Sequence, residues 1–489
     1  MNNKFSARAI CLLLLLSMTA SASCGGEKTP ADTSSDTVSD TTAPEVDPLD
    51  DNLPDRDYGG YTFTVATETE NEWLVLQDEE TGDVVEDAIY KRNMAVEERF
   101  NVQFDTVVDS LSELGKLVQS SIMAGDDDID LCCTHVVNTG NLAMSDIFLN
   151  WYDIPYVDFS KPWWARSTVD DLSVDGVCIL AVGDFALTAL ANTNCIMYNK
   201  RLAEEYGITD LYTLAFDGGW TIDKVRELTK DIYVDVDSSG NQNNQDLFGY
   251  VSTSRSALNV FLWSFGGHVL KANSNGELEL VYHNDKTADM VTKLCSFFYD
   301  NEGVYINSKE PTYDSLFSIY MFKQNQAVFI NSAIGNSLTL LRDMKDDYGL
   351  LPYPKWDENQ DEYYTMVDGS HDILCVPATA SDPERTGIIT EALCAESYKQ
   401  VVPAYYEVAL KTKYTRDDES VQMLDLISNS RVFDMGYVYD AWKGASFLFQ
   451  ELIAANNTNF ESKWASKSSA ITEYYNSVIE YFKSYKSTH

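Results

Sequence analysis

The chain has 489 residues, 44% of them hydrophobic, and carries 77 acidic against 35 basic side chains, a formal charge of −42. So acidic a surface repels phosphate backbones and anionic headgroups, which excludes nucleic-acid binding and argues against an anionic ligand. The length exceeds what one hydrophobic core supports and suits two domains.

Lys4 and Arg8, the apolar run 9–16 and the small residues Ser21, Ala22 and Ser23 form a secretory signal peptide over residues 1–23. The run is too short to cross a bilayer, which needs about 20 residues. The stretch ending at Cys24 resembles the lipobox of bacterial lipoproteins, in which the cysteine takes a diacylglyceryl group. Ser21 stands where that motif usually has Leu, so ordinary signal-peptidase cleavage is the alternative. Residues 24–57, rich in Gly, Thr, Ser, Pro and Asp, cannot bury enough apolar surface to offset their ordering entropy. They read as a lipid-anchored, disordered tether on the extracellular face of the cell membrane. No transmembrane segment follows the signal. Beyond Cys11 and Cys24, Cys132, Cys133, Cys178, Cys195, Cys295, Cys375 and Cys394 are an odd set in mostly apolar runs. They read as small buried hydrophobes, not a disulfide framework or a zinc site.

In the body, residues 61–66 alternate apolar and polar and predict a strand. Val85, Ile89, Val96 and Phe100 recur at helical spacing across 84–100, with Asn101 as end cap. A strand at 102–106, a helix at about 111–123 and a short strand at 129–133 follow. That alternation predicts a parallel α/β layer. A second α/β region starts near 178–182 and continues through helices at 200–206 and 221–232, where Ile222, Val225, Leu228 and Ile232 share one face. Strands follow at 326–330, 348–352 and 373–377, and the last hundred residues are helical in pattern and strongly aromatic.

Five segments then resemble, in family order, the extracellular solute-binding proteins (family 1) of carbohydrate ABC transporters, the group that includes maltose-binding protein. They are Tyr198-Asn199-Lys200, Gly219-Trp220-Thr221-Ile222-Asp223, Phe248-Gly249-Tyr250, Phe265-Gly266-Gly267-His268-Val269-Leu270, and Tyr348-Gly349 followed by Pro352-Tyr353-Pro354-Lys355. The resemblance covers roughly residues 60–480. It implies an α/β, two-lobed periplasmic-binding-protein-like fold (type II), with lobes joined by a hinge of multiple chain crossovers. One lobe would hold 58–177 and 328–378, the other 178–327 and 379–489. The ligand would lie where strand ends of both lobes meet. The resemblance further implies an uncharged carbohydrate ligand, ABC permease subunits as partners, and a monomer.

A sugar needs flat aromatic platforms and planar hydrogen-bonding groups. The chain has 9 Trp, 29 Tyr and 21 Phe, but a large core uses many of these. Position narrows the set. Glu70, Glu72 and Trp73 follow the first strand, and Asp184 follows the 178–182 segment. Trp263 precedes the Gly266-Gly267 turn, and Asp368 precedes the 373–376 strand. Trp442 matches the late aromatic segment that supplies a stacking residue in the resembling family. Trp163-Trp164 reads as packing at the lobe junction. The stretch 235–246 imitates a calcium loop through Asp235, Asp237, Ser239 and Asn241, with Gly240 at the turn, but Asp246 replaces the bidentate Glu. Its rival reading is a plain polar turn; no other cofactor is implied.

Catalysis is the competing class. A glycoside hydrolase needs two carboxyls about 5–5.5 Å or about 6.5–9.5 Å apart, and acids are plentiful here. No nucleophile elbow, HExxH or phosphate loop is present, and only five His occur. The expectation is a binding protein, not an enzyme, with an oligopeptide-binding protein of similar architecture as the nearer alternative.

Overall fold

The computed structural model describes residues 49–253, 256–306, 316–411, 418–440 and 444–488. The signal segment, Cys24, most of the tether and Trp442 lie outside them. The tether ends earlier than expected: at residues 49–57 the chain already packs on the body. Asp51 is buried and accepts from Arg99 Nη2 at 3.0 Å, and Leu53 lies against the core.

The first sheet begins with β1 (Tyr61–Glu68), β2 (Val102–Asp109) and β3 (Leu131–His135). Between β1 and β2 runs the helix Val84–Phe100. Asp83 caps its start by accepting from the Val85 and Glu86 amides, and Asn101 ends it at φ 52°. Asn tolerates that left-handed position better than most residues. The helix Leu114–Ala124 leads into β3, two residues later at each edge than expected for the strand. Both β2 and β3 pair in parallel with β1. Alternate side chains enter opposite faces: Phe63, Val65, Leu131 and Cys133 fill one cluster, while Ala66 and Cys132 fill the other.

The second sheet takes β4 (Asn194–Asn199), β5 (Tyr233–Val234) and β6 (Leu247–Ser252). A separate hairpin of β7 (Leu270–Ala272) and β8 (Leu278–Leu280) follows. The sheet is completed by β9 (Val304–Ile306), β10 (Ala327–Ala333) and β11 (Tyr348–Leu351). Its order is β11-β4-β10-β6-β5, with β9 also on β6. Helix starts fall on their caps: Thr221 accepts from the Lys224 amide and Asn284 from the Thr287 amide. The short strands β12 (Thr365–Met366) and β14 (Arg431–Val432) pair in parallel. Last in the first sheet comes β13 (Asp372–Cys375), antiparallel to β3, giving the order β13-β3-β1-β2.

The sheets correct the expected lobe boundaries. β10 and β11, assigned with 328–378 to the first lobe, hydrogen-bond to β4 of the second sheet; of that stretch only β13 returns. Conversely, residues 178–182 open no second-sheet strand: Ala181 bridges Leu374 of β13. The helix Pro383–Glu396 also buries Ile388, Ile389 and Leu393 in the cluster beneath β1 and β3. An apolar run reads alike on either sheet; its partner strand is decided by long-range pairing.

Candidate functional site

Two crossover segments run side by side between the sheets. The outgoing one, 188–193, leads into β4, and the returning one, 367–372, leads into β13. Thr193 bridges Val367, the Asp368 amide donates to the Asn192 carbonyl at 2.9 Å, and Asn192 Nδ2 donates to the Ser370 carbonyl at 3.3 Å. The Asp372 amide donates to Thr188 Oγ1 at 2.7 Å. Two adjacent, mutually bonded connections form a hinge. Tyr437, in the helix Met435–Val438, supports it by accepting from the Gly369 amide at 3.0 Å.

The carboxyl ends of β1 and β3 open beside this hinge. Glu68 is buried; one oxygen accepts from the His135 amide at 2.9 Å and the other has no hydrogen-bond partner. Asp372 is buried as well, and both its oxygens accept from Asn71 Nδ2 at 3.1 Å. Burial holds both carboxyls above their ordinary range, and each feels another acid: Glu70 acts on Glu68, and Glu68 on Asp372. Next to them His371 is fully enclosed. Its Nδ1 lies 2.7 Å from the Asp368 carbonyl, so Nδ1 carries the proton, and Nε2 has no partner. Burial pushes the ring down to about 4. The hinge is thus flanked by the Glu68 and Asp372 carboxyls, which form no ion pair among the described residues, and by the His371 imidazole.

Asp184 lies four residues before the outgoing crossover, against the strap that carries Trp163 and Trp164. The strap 163–165 runs antiparallel to 182–184: the Ala165 amide donates to the Val182 carbonyl at 2.8 Å and the Asp184 amide to the Trp163 carbonyl at 2.9 Å. A Cβ on Gly183 would lie 3.0 Å from the Trp164 ring and 2.6 Å from Cys394 Sγ, so only glycine fits there. Asp184 is half-buried, and burial pushes its carboxyl up to about 7 while the Arg431 guanidinium pulls it back. Arg431 also acts on His371. Further along, Asp171 is pushed up to about 7, chiefly by burial, with Asp434 and Asp170 adding to the rise and Lys271 opposing it.

No protein-family model and no curated protein matches this chain. Solved structures do. UspC of M. tuberculosis shares 13% identity and a TM-score of 0.55, covering 84% of this chain and 99% of that one. The maltose/maltodextrin-binding domain MalE of Bdellovibrio bacteriovorus, bound to maltotriose, gives 13%, 0.52 and the same coverage. A family 1 extracellular solute-binding protein from Bifidobacterium longum subsp. infantis gives 12% and 0.51, covering 83% of this chain and 100% of that one. The fold is that of the family 1 extracellular solute-binding proteins. It is the two-lobed, periplasmic-binding-protein-like α/β fold, its lobes joined by a hinge of several crossovers.

Within this fold the residues singled out in the sequence separate. Asp368 stands at the hinge and Asp184 just before the outgoing crossover, both half-buried; the Asp368 carboxylate accepts from the Ser370 amide and hydroxyl at 3.1 and 2.8 Å. The loop after β1 reaches the hinge through Asn71. Glu70 is exposed, Glu72 is half-buried and accepts from Thr106 Oγ1 at 2.8 Å, and Trp73 is 42% exposed. Trp263 is corrected: it is 1% exposed, donates to Asp434 Oδ2 at 2.9 Å and packs edge-on to Tyr437, so it is a core residue. Trp163 and Trp164 are core too, both indoles donating to Glu391 at 2.8 Å. Glu68 belongs to the acidic loop after the first strand to which the sequence points, whereas Asn71, His371, Asp372 and Arg431 are not expected from it. The signal available for three of them was position, at the ends of strands near 61–66 and 373–376.

Asp235, Asp237 and Asp246 each bring a carboxylate oxygen within 4.8 Å of the others. Oxygen donors suit a hard cation. Asp246, fully buried, already accepts from the Val236 and Asn243 amides at 3.0 Å, and Asp235 from the Ser239 and Gly240 amides. Ser239 Oγ donates to the Asn241 carbonyl at 3.0 Å. These carboxylates lie on the second sheet's β5–β6 connection and away from the hinge, and are of the type that a hard cation takes.

Proposed function

We propose that this chain is an extracellular solute-binding lipoprotein that captures a carbohydrate between its lobes and hands it unaltered to an ABC importer. The hinge carries this reading: two paired crossovers flanked by half-buried carboxylates, in a fold shared with proteins solved with maltotriose and maltotetraose. A neutral polyol hydrogen-bonds to carboxylates and amides without needing a counter-charge. Asp184, Asp368 and Arg431 would contact it from the hinge, with Glu70, Glu72 and Trp73 closing from the loop after β1.

Binding both lobes favours the closed arrangement, and a permease that reads the closed shape receives only loaded protein. Diacylglyceryl modification of Cys24, with residues 25–48 as leash, would keep a monomeric body near that permease. Labelling with a radioactive fatty acid tests the anchor: incorporation is expected in the native chain and absent from Cys24→Ala. Calcium among Asp235, Asp237 and Asp246 would serve as a structural clip. Thermal melts with calcium or with chelator test it, and identical melts would reject the ion.

Calorimetric titration with a panel of oligosaccharides and of oligopeptides tests the main reading. Micromolar or tighter binding of a glycan, recovered intact by chromatography, is expected. Binding confined to peptides would replace the substrate class, and recovery of cleaved glycan would replace the function.

A further inference from the structure

At the carboxyl ends of β1 and β3, Glu68, Thr134, Asn138 and Thr139 line a small cavity, with apolar residues such as Leu142 and Phe148 completing its wall. It has room for about one water-sized guest. The polar capacity left over there is all acceptor. Glu68, 4% exposed, spends one oxygen on the His135 amide, and the other oxygen has no partner. Thr139 Oγ1 donates to the His135 carbonyl at 2.9 Å, so the 2.6 Å bond between the two hydroxyls carries the Thr134 proton. Both hydroxyl protons are thereby used, and lone pairs remain on the oxygens. The Asn138 amide nitrogen is likewise spent on the Leu111 carbonyl at 2.7 Å, which leaves its oxygen. Such a lining takes a guest that only donates or that is positively charged.

Water and a small cation both meet that need, and charge chooses between them. Glu68 feels the acid Glu70 and itself acts on Asp372, and neither Glu68 nor Asp372 pairs with a described ammonium or guanidinium. Water offsets none of this charge, whereas one cation offsets a whole carboxylate. A divalent ion seeks about six or more oxygens, several of them from carboxylates or water. One carboxylate with three neutral oxygens suits a single positive charge.

We propose that this cavity binds one small monovalent cation, held by Glu68, Thr134, Asn138 and Thr139. The ion ties the ends of β1 and β3 to the helix Val136–Ala143, which carries Asn138 and Thr139. By neutralising Glu68 it also relieves the repulsion on Asp372 beside the hinge. Its binding does not depend on which solute the cleft takes.

Thermal melts of the full chain test the site, with chelator present so that divalent ions play no part. Sodium, potassium and ammonium chloride are each titrated against choline chloride at equal ionic strength, choline being far larger than water. A saturable rise of several degrees in at least one of the small cations is expected, and the three arms identify which. Glu68→Gln keeps the shape and removes the charge, so its melts should be alike in all four salts. Thr134→Val removes one oxygen and should raise the half-saturating concentration severalfold. Native chain that melts alike in all four salts would overturn the proposal, leaving the cavity to water. A rise that persists in Glu68→Gln would overturn it too, by placing the cation elsewhere. Should Glu68→Gln fail to fold, an unchanged half-saturating concentration in Thr134→Val would decide against the site.

Discussion

Glu391 accepts from the indoles of Trp163 and Trp164 and from the Asp158 amide at 3.2 Å, and it is fully buried without a cation. Burial pushes its carboxyl up to about 7, the two indoles and the amide opposing. The folded chain therefore binds this proton more tightly than the unfolded chain, whose Glu titrates near about 4.3. Its contribution is complete below that value and is lost as the pH rises through about 7, on the order of 3 kcal/mol. Urea melts should show stability falling from pH 5 to pH 8, less steeply in Glu391→Gln. His371 acts with the opposite sign: its folded value of about 4 lies below the unfolded one, so stability is lost as the pH falls from about 6.5 to 4. Glu391 also holds Trp164 against Gly183 and so helps place Asp184. Asp184→Ala should weaken glycan affinity by about tenfold or more, roughly 1.4 kcal/mol or above, in the same titrations. Unchanged affinity would remove Asp184 from the site.

Among the elements, the helix Val136–Ala143 meets the helix Met435–Val438 closely enough that a Cβ on Gly140 would fall 2.1 Å from the Val438 carbonyl oxygen. No rotamer relieves a backbone clash, so the two helices must part. Gly140→Ala should cost about 1–3 kcal/mol in denaturant melts, and because Tyr437 holds the hinge at Gly369, it should also weaken ligand binding. Elements were the level best read from sequence. The helix Val84–Phe100 was delimited by its apolar spacing and by Asn101, and β1 by its alternation. The segment 178–182 failed because a continuous apolar run does not say which strand it will lie beside; here it bridges β13.

At the scale of the molecule, the C-terminal helix Phe460–Thr488 packs along the second sheet's helices yet reaches the first lobe, where Tyr481 donates to the Ala143 carbonyl at 2.8 Å. It is a further contact between the lobes in addition to the crossovers. If a ligand closes the lobes, X-ray scattering should show a smaller radius of gyration on adding a bound glycan. An unchanged profile with a tight ligand would reject closure. Tyr481→Phe removes one interlobe bond worth about 1 kcal/mol, and it should lower apparent affinity severalfold without altering the fold.

Most helices and strands, the α/β class, the acidic surface and the order of segments resembling a solute-binding protein are legible in the chain alone. These follow from period, caps and composition, which are local. Long-range pairing sets which sheet β10, β11 and β13 join, turns Trp263 onto Asp434, and gathers Glu68, Asn71, His371 and Asp372 at the hinge. Those residues are separated by about three hundred positions, and no local pattern records a contact across that distance. The seven cysteines among the described residues are buried and free, as their apolar surroundings in the sequence imply.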